Sequence, residues 1–195
     1  RWLEIHEIAH RMGIPSNATL LYGHIETRAE RVQHLILLRE LEDRAPGFFA
    51  FIPLAFQPGV TGLVRRQASA IEDLKTIAIS RLVLDNIPHV KSYWIMLGQD
   101  TAAAAINFGA SDLDGTIGQE KIAHAALARS PVGMAEAGMA QLIREAGGGP
   151  GQRGAPYRGV RGDPRGGPPA PAPAPARPGP AGGPAPGPPR ARAPT

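Results

Sequence analysis

The chain has 195 residues, 21 Lys and Arg against 17 Asp and Glu, 24 glycines, 21 prolines and no cysteine. From Gly147 onward, 49 residues hold 15 of the prolines, 13 of the glycines, seven arginines and one acid, Asp163, so the net +4 divides into +6 there and −2 over residues 1–146. This excludes disulfides, Cys-ligated zinc, a cysteine nucleophile and an iron–sulfur cluster held by this chain's own thiolates; no apolar run nears the ~18 residues of a membrane span, and the charged start RWLEIHEIAH is unlike a signal peptide.

Residues 1–146 suffice for one core. Residues 147–195 lack the apolar side chains that would offset ordering entropy and predict a disordered tail with polyproline-like stretches. A cytoplasmic setting is the default.

In chain order, residues 2–12 place Trp2, Ile5, Ala9 and Met12 on one helical face, and Gly13-Ile14-Pro15 stops that helix. Residues 17–22 read as a buried strand. Thr27-x-x-Glu30 is a capping box opening a helix to about Arg44. The continuous apolar run 48–56, FFAFIPLAF, predicts a strand covered on both faces. Ser69-x-x-Glu72 is a second capping box, with its helix running to about Asn86; VKSYWIML, residues 90–97, reads as a third strand. Residues 101–108 follow as helix, 111–113 as a short fourth strand, Thr116 as the cap of a helix to about Leu127, and 134–146 as a last helix. Strands separated by helices imply parallel pairing, as an open doubly wound sheet or as part of a (β/α) barrel. No Gly-rich phosphate fingerprint follows any strand, which weakens the nucleotide-binding open sheet.

In parallel α/β folds function gathers where strands end. Those loops read Gly23-His24-Ile25-Glu26, Gln57-Pro58-Gly59, Gly98-Gln99-Asp100 and Ser111-Asp112-Leu113-Asp114-Gly115-Thr116. His24 beside Glu26 is the most suggestive pair, although Asp and Gln equally cap helices and line turns.

His6-Glu7-Ile8-Ala9-His10 is a literal HExxH, the spacing that offers two imidazoles to zinc with Glu7 as general base, and a zinc-dependent hydrolase is one alternative function. The third histidine of the longer pattern would fall at Ser16. The competing reading makes His6 and His10 solvent-side residues of an amphipathic helix. In the tail, Arg158 to Gly167 is RG-rich and offers salt-sensitive, nonspecific contact at best, so no specific nucleic-acid partner is expected. The segment around Pro175-Ala176-Arg177-Pro178 supports a further alternative, a noncatalytic Pro-rich interaction protein.

The stretches NATLLYGHIETRAERVQHLILLRELEDRAPGFFAFIPLAFQPGVTGL, LVLDNIPHVKSYWIMLG and FGASDLDGTIGQEKI closely resemble the radical-SAM enzymes of the futalosine route to menaquinone, over about Trp2 to Ala146. Within that family Asp114-Gly115 favours the aminofutalosine synthase branch over the cyclic dehypoxanthine futalosine synthase branch, which has Gly-Ser there. The resemblance implies a TIM-type radical-SAM barrel whose C-terminal half is residues 1–146. It also implies a [4Fe–4S] cluster on a C-x3-C-x2-C loop, with S-adenosyl-L-methionine on the remaining iron. The 5′-deoxyadenosyl radical would add to 3-[(1-carboxyvinyl)oxy]benzoate, and rearrangement with loss of CO2 would give aminodeoxyfutalosine. It further implies His24 and Glu26 as contacts to SAM or substrate, and Arg28 as a partner for a substrate carboxylate. Gln57 stands where the family has His, and Asp112, Asp114 and Thr116 belong to the late loop, holding ribose hydroxyls or ordering that loop. The partner is thus a small-molecule substrate, with no membrane; the oligomeric state is open. Without cysteines the chain is expected to be inactive alone, the first half of the barrel lying upstream of Arg1.

Overall fold

A computed structural model of the chain describes residues 1–59, 61–115, 121–126, 128, 130–131, 133–154 and 159–162. The first unit alternates helix and strand: α1 (Trp2–Arg11), β1 (Ser16–Tyr22), α2 (Arg28–Arg44), β2 (Phe48–Ala55), α3 (Ala70–Val83) and β3 (His89–Val90). The strands pair in the order β1-β2-β3, all parallel. A parallel bridge between Lys91 and Asp112 adds one more rung where the short fourth strand is expected. The expected α/β class with a parallel sheet is the observed one.

Register decides which face is covered. Ala18 lies opposite Phe51, Leu20 opposite Pro53 and Tyr22 opposite Ala55. These residues share one face, which packs against Leu35, Leu38 and Leu41 of α2 and Ile77 of α3 in one buried cluster. The alternate residues of β1 point the other way, and Leu21 is 44% exposed there. The two crossover helices start where the sequence says they should. Thr27 accepts from the Glu30 amide while the Glu30 carboxylate accepts from the Thr27 amide, a complete capping box. Ser69 caps α3, but the Glu72 carboxylate is drawn away to Arg31, so that second box is only half formed.

Two expectations are corrected. The run VKSYWIML is strand only at its start: after β3 the chain turns into α4 (Trp94–Leu97). Its apolar side chains are buried either way, and continuous burial does not distinguish a covered strand from a buried helix. Next, α1 is oriented opposite to its apolar pattern: Trp2, Ile5, Ile8 and Met12 are exposed, and His10 is buried. After α5 (Gln99–Ala104), a 3-10 turn (Ala105–Phe108), α6 (Ile122–Ala125) and α7 (Glu136–Glu145), β4 (Gly151–Arg153) and β5 (Gly159–Gly162) form an antiparallel pair. Residues 163–195, with the Pro-rich segment, lie outside the described residues. Among the described residues no helix is long and apolar enough to cross a membrane.

Candidate functional site at the strand ends

The loop after β1 is built around one carboxylate. Glu26 Oε1 accepts from the Gly23 amide at 2.6 Å and Arg31 Nε at 2.7 Å, and Oε2 accepts from the His24 amide at 3.0 Å. Burial alone would raise this carboxyl, but the Gly23 and His24 amides, with Arg31, hold it down to about 2. It is therefore an anion throughout the physiological range. His24 Nδ1 lies 2.6 Å from Glu26 Oε2 and also 2.6 Å from the Ile25 amide nitrogen. The Ile25 amide donates to Nδ1. The ring is fixed edge-on to Phe56, with centroids 5.3 Å apart.

Gln57, just past β2, is buried; its Nε2 donates to the carbonyls of Ala55 and Met96, each at 3.1 Å. It braces the end of β2 to α4, and Gln67 Nε2 donates to the same Met96 carbonyl at 2.6 Å. His24, Glu26 and Gln57 thus lie at neighbouring strand ends.

Asp112 and Asp114 form a separate group. Lys91, 7% exposed, sets its Nζ 2.9 Å from Asp114 Oδ1. Asp112 Oδ2 accepts from Arg153 Nε at 2.9 Å and from Nη2, and its Oδ1 accepts from the Asp114 amide at 3.0 Å. The Asp114 backbone, at φ 55°, occupies the left-handed region that Asp tolerates better than most residues. Val90 lies at the level of Phe51, whereas Tyr22 lies opposite Ala55, four residues further along. Asp112 bridges to Lys91, one residue past Val90 and so level with Ile52, and about 10 Å of strand rise separates it from the end of β1, where the His24 loop starts.

Arg28 is elsewhere again. Its side chain is 82% exposed on the outer side of α2, 3.4 Å from Glu72. Thr116 lies outside the described residues. Three participants were not anticipated. Arg31 clamps Glu26, and its position on α2 gave no separate signal. Lys91 is a charge inside an apolar run, which is a usable signal for a buried ion pair. Arg153 lies beyond the expected end of the fold.

The HExxH segment is a clasp between elements. His10 Nδ1 donates to the Ala45 carbonyl at 2.8 Å, which fixes its tautomer and makes Nε2 the acceptor for Ser16 Oγ at 2.8 Å. His6 Nδ1 meets the same hydroxyl at 2.8 Å. The serine at the position of the longer motif's third histidine thus joins the two imidazoles to each other. Glu7 is bound by Arg11 at 2.7 Å and Arg44 at 3.3 Å rather than held as a base. Among the described residues no three His, Asp or Glu side chains converge for a metal. The zinc reading and the solvent-side reading of these histidines are both overturned.

Residues 45–164 match the family model described as the CofH/MqnC C-terminal region. The chain is 46% identical over 165 residues to the aminodeoxyfutalosine synthase of Thermus thermophilus, covering 82% of this chain and 44% of that protein. It is 41% identical over 172 residues to the aminodeoxyfutalosine synthase of Streptomyces coelicolor, with the same coverage of each chain. It is also 41% identical over 158 residues to the cyclic dehypoxanthine futalosine synthase of S. coelicolor, covering 80% of this chain and 39% of that one. The chain spans less than half the length of these relatives.

Proposed function

The chain belongs to the CofH/MqnC C-terminal family, and from that premise we propose that it is the C-terminal part of a radical-SAM enzyme, a (β/α) barrel carrying out the aminodeoxyfutalosine synthase reaction of menaquinone biosynthesis. The observation that carries the reading is the 46% identity over 165 residues to a protein named for that reaction. The open side of the sheet supports it. β1 pairs only with β2 among the described strands, and Leu21 on its uncovered face, with Ile5, Ile8 and Met12 of α1, leaves apolar surface suited to further strands and helices of one barrel.

The residues present do not fit a [4Fe–4S] cluster, because the chain has no cysteine. A cluster would be held by a different segment of the whole enzyme, and this chain alone is inactive. What these residues supply is a polar rim at the strand ends. Glu26 stays ionised and holds the backbone of the His24 loop, so that the His24 imidazole is positioned as a polar contact for SAM or substrate. Gln57 keeps the neighbouring strand end and α4 in place. The acid pair Asp112 and Asp114, tied to Lys91 and Arg153, orders the late loop. Small molecules, not macromolecules, are the partners of this rim, in a cytoplasmic setting.

The test is a chimaera joining residues 1–162 to the N-terminal part of the Thermus thermophilus relative, loaded with cluster and given SAM. Formation of aminodeoxyfutalosine from 3-[(1-carboxyvinyl)oxy]benzoate is expected, with none from residues 1–162 alone. The 41% identity to the cyclic dehypoxanthine futalosine synthase keeps a second reading. Turnover of dehypoxanthine futalosine instead would establish it.

A further inference from the structure

A cavity of about 140 Å³ opens between α2 and α3, outside the strand-end rim. Leu20, Leu35, Val32 and Ile79 are its apolar lining. Leu35 is buried, whereas Val32 and Ile79 are 38% and 43% exposed. Arg28, Arg31 and Lys75 stand at its mouth with one acid, Glu72. Arg31 is already committed, with Nη1 2.9 Å from Glu72 and Nε 2.7 Å from Glu26. Its single charge is shared between Glu26 and Glu72, and Arg28, with its side chain 82% exposed, lies 3.4 Å from Glu72. With Glu26 counted, three cations stand against two anions, so one surplus positive charge, carried by the exposed Arg28 and Lys75, faces an incoming ligand.

From this geometry we infer that the α2–α3 groove is a second ligand site, for a small monocarboxylate with an apolar body of about six carbons. The apolar part is set by volume, since an apolar cavity of ~150 Å³ takes up one benzene ring. The charge is set by the mouth: an ammonium would face the surplus positive charge, whereas a carboxylate meets the planar fork of Arg28 in a two-pronged pair. A helix or strand of another protein is too large for the cavity. The inference uses the groove between α2 and α3 with Leu20 of β1 beneath it, and does not depend on the reaction at the strand ends.

The test is a titration of the methyl-labelled full chain with hexanoate, followed by NMR, with hexan-1-ol as the uncharged match. Saturable shifts at the Val32, Leu35 and Ile79 methyls are expected, with a Kd on the order of millimolar for a ligand of this size. The double variant Arg28→Glu, Lys75→Glu should weaken hexanoate by about tenfold or more and leave hexan-1-ol unchanged, as expected for loss of a charge-assisted pair. Ile79→Trp, which fills the groove, should abolish both sets of shifts. Decanoate should gain far less than the roughly fourfold per added carbon that open apolar surface gives. Equal binding of hexanoate and hexan-1-ol, a decanoate gain of that full size, or no saturable shift at these methyls would each overturn the proposal.

Discussion

Asp73 is 2% exposed, and its Oδ1 accepts from the Tyr22 hydroxyl at 2.6 Å. Burial raises its carboxyl from the ordinary 3.8 to about 6, the Tyr22 bond pulling it down and Glu72 pushing it further up. A folded-state value above the unfolded one makes a contribution that is complete below the unfolded value and lost as pH rises through the folded one. Asp73→Asn keeps an acceptor for Tyr22 and removes the ionisation. The wild-type chain should therefore lose about 2 kcal/mol relative to this variant between pH 4 and pH 8, measured by urea unfolding. His6 works in the opposite sense. Burial, then His10, lowers it below the ordinary 6.5, so stability falls as pH drops through 6.5. Ser16→Ala should remove the bridge between the two imidazoles and cost about 1–3 kcal/mol at pH 7.5, because a buried ring nitrogen of His10 is left without its donor. The HExxH spacing was legible in the sequence, but its use was not. A second turn of inference was needed: Ser16 sits where a third ligand would be, and a hydroxyl there bridges imidazoles by hydrogen bonds.

Among the elements, α1 shows most plainly what a pattern of apolar residues does not decide. Its apolar stripe and its histidine face were both visible, yet which face meets the sheet depends on what else is present to cover the first. The contact that holds it is close: a Cβ on Gly47 would lie 2.5 Å from the His10 ring. Gly47→Ala should therefore displace α1 and destabilise the chain by about 1–3 kcal/mol in thermal unfolding, a cost typical of overpacking. At the other end, Arg153 ties the β4 strand to Asp112 in the late loop. Arg153→Ala should raise amide hydrogen exchange at residues 111–114 and 151–153 together, whereas a hairpin without that tie would leave 111–114 unchanged. The capping boxes at Thr27 and Ser69 marked the starts of both crossover helices, because caps are local chemistry. The α4 helix was missed because VKSYWIML carries only burial, and burial is common to both structures.

At the scale of the molecule, the parallel pairing of the strands followed from the alternation of helices and strands, whereas the order β1-β2-β3 did not. Nor did the tie of Arg153 to Asp112, since the Gly and Pro content around Arg153 reads as a linker. The surfaces left uncovered also have a consequence. Leu21, Ile5, Ile8 and Met12, all more than two-fifths exposed, belong to an edge strand and the helix before it. The isolated chain should bind a hydrophobic dye such as ANS and unfold with low cooperativity, and the chimaera should lose most of that dye binding. A sharp, cooperative transition of the isolated chain with no dye binding would count against the half-barrel reading.

The most direct measurement is the coding DNA read upstream of Arg1. The account predicts an open frame running into Arg1 that encodes a C-x3-C-x2-C loop and further strand–helix units. An in-frame start immediately before Arg1, with no such loop, would contradict it.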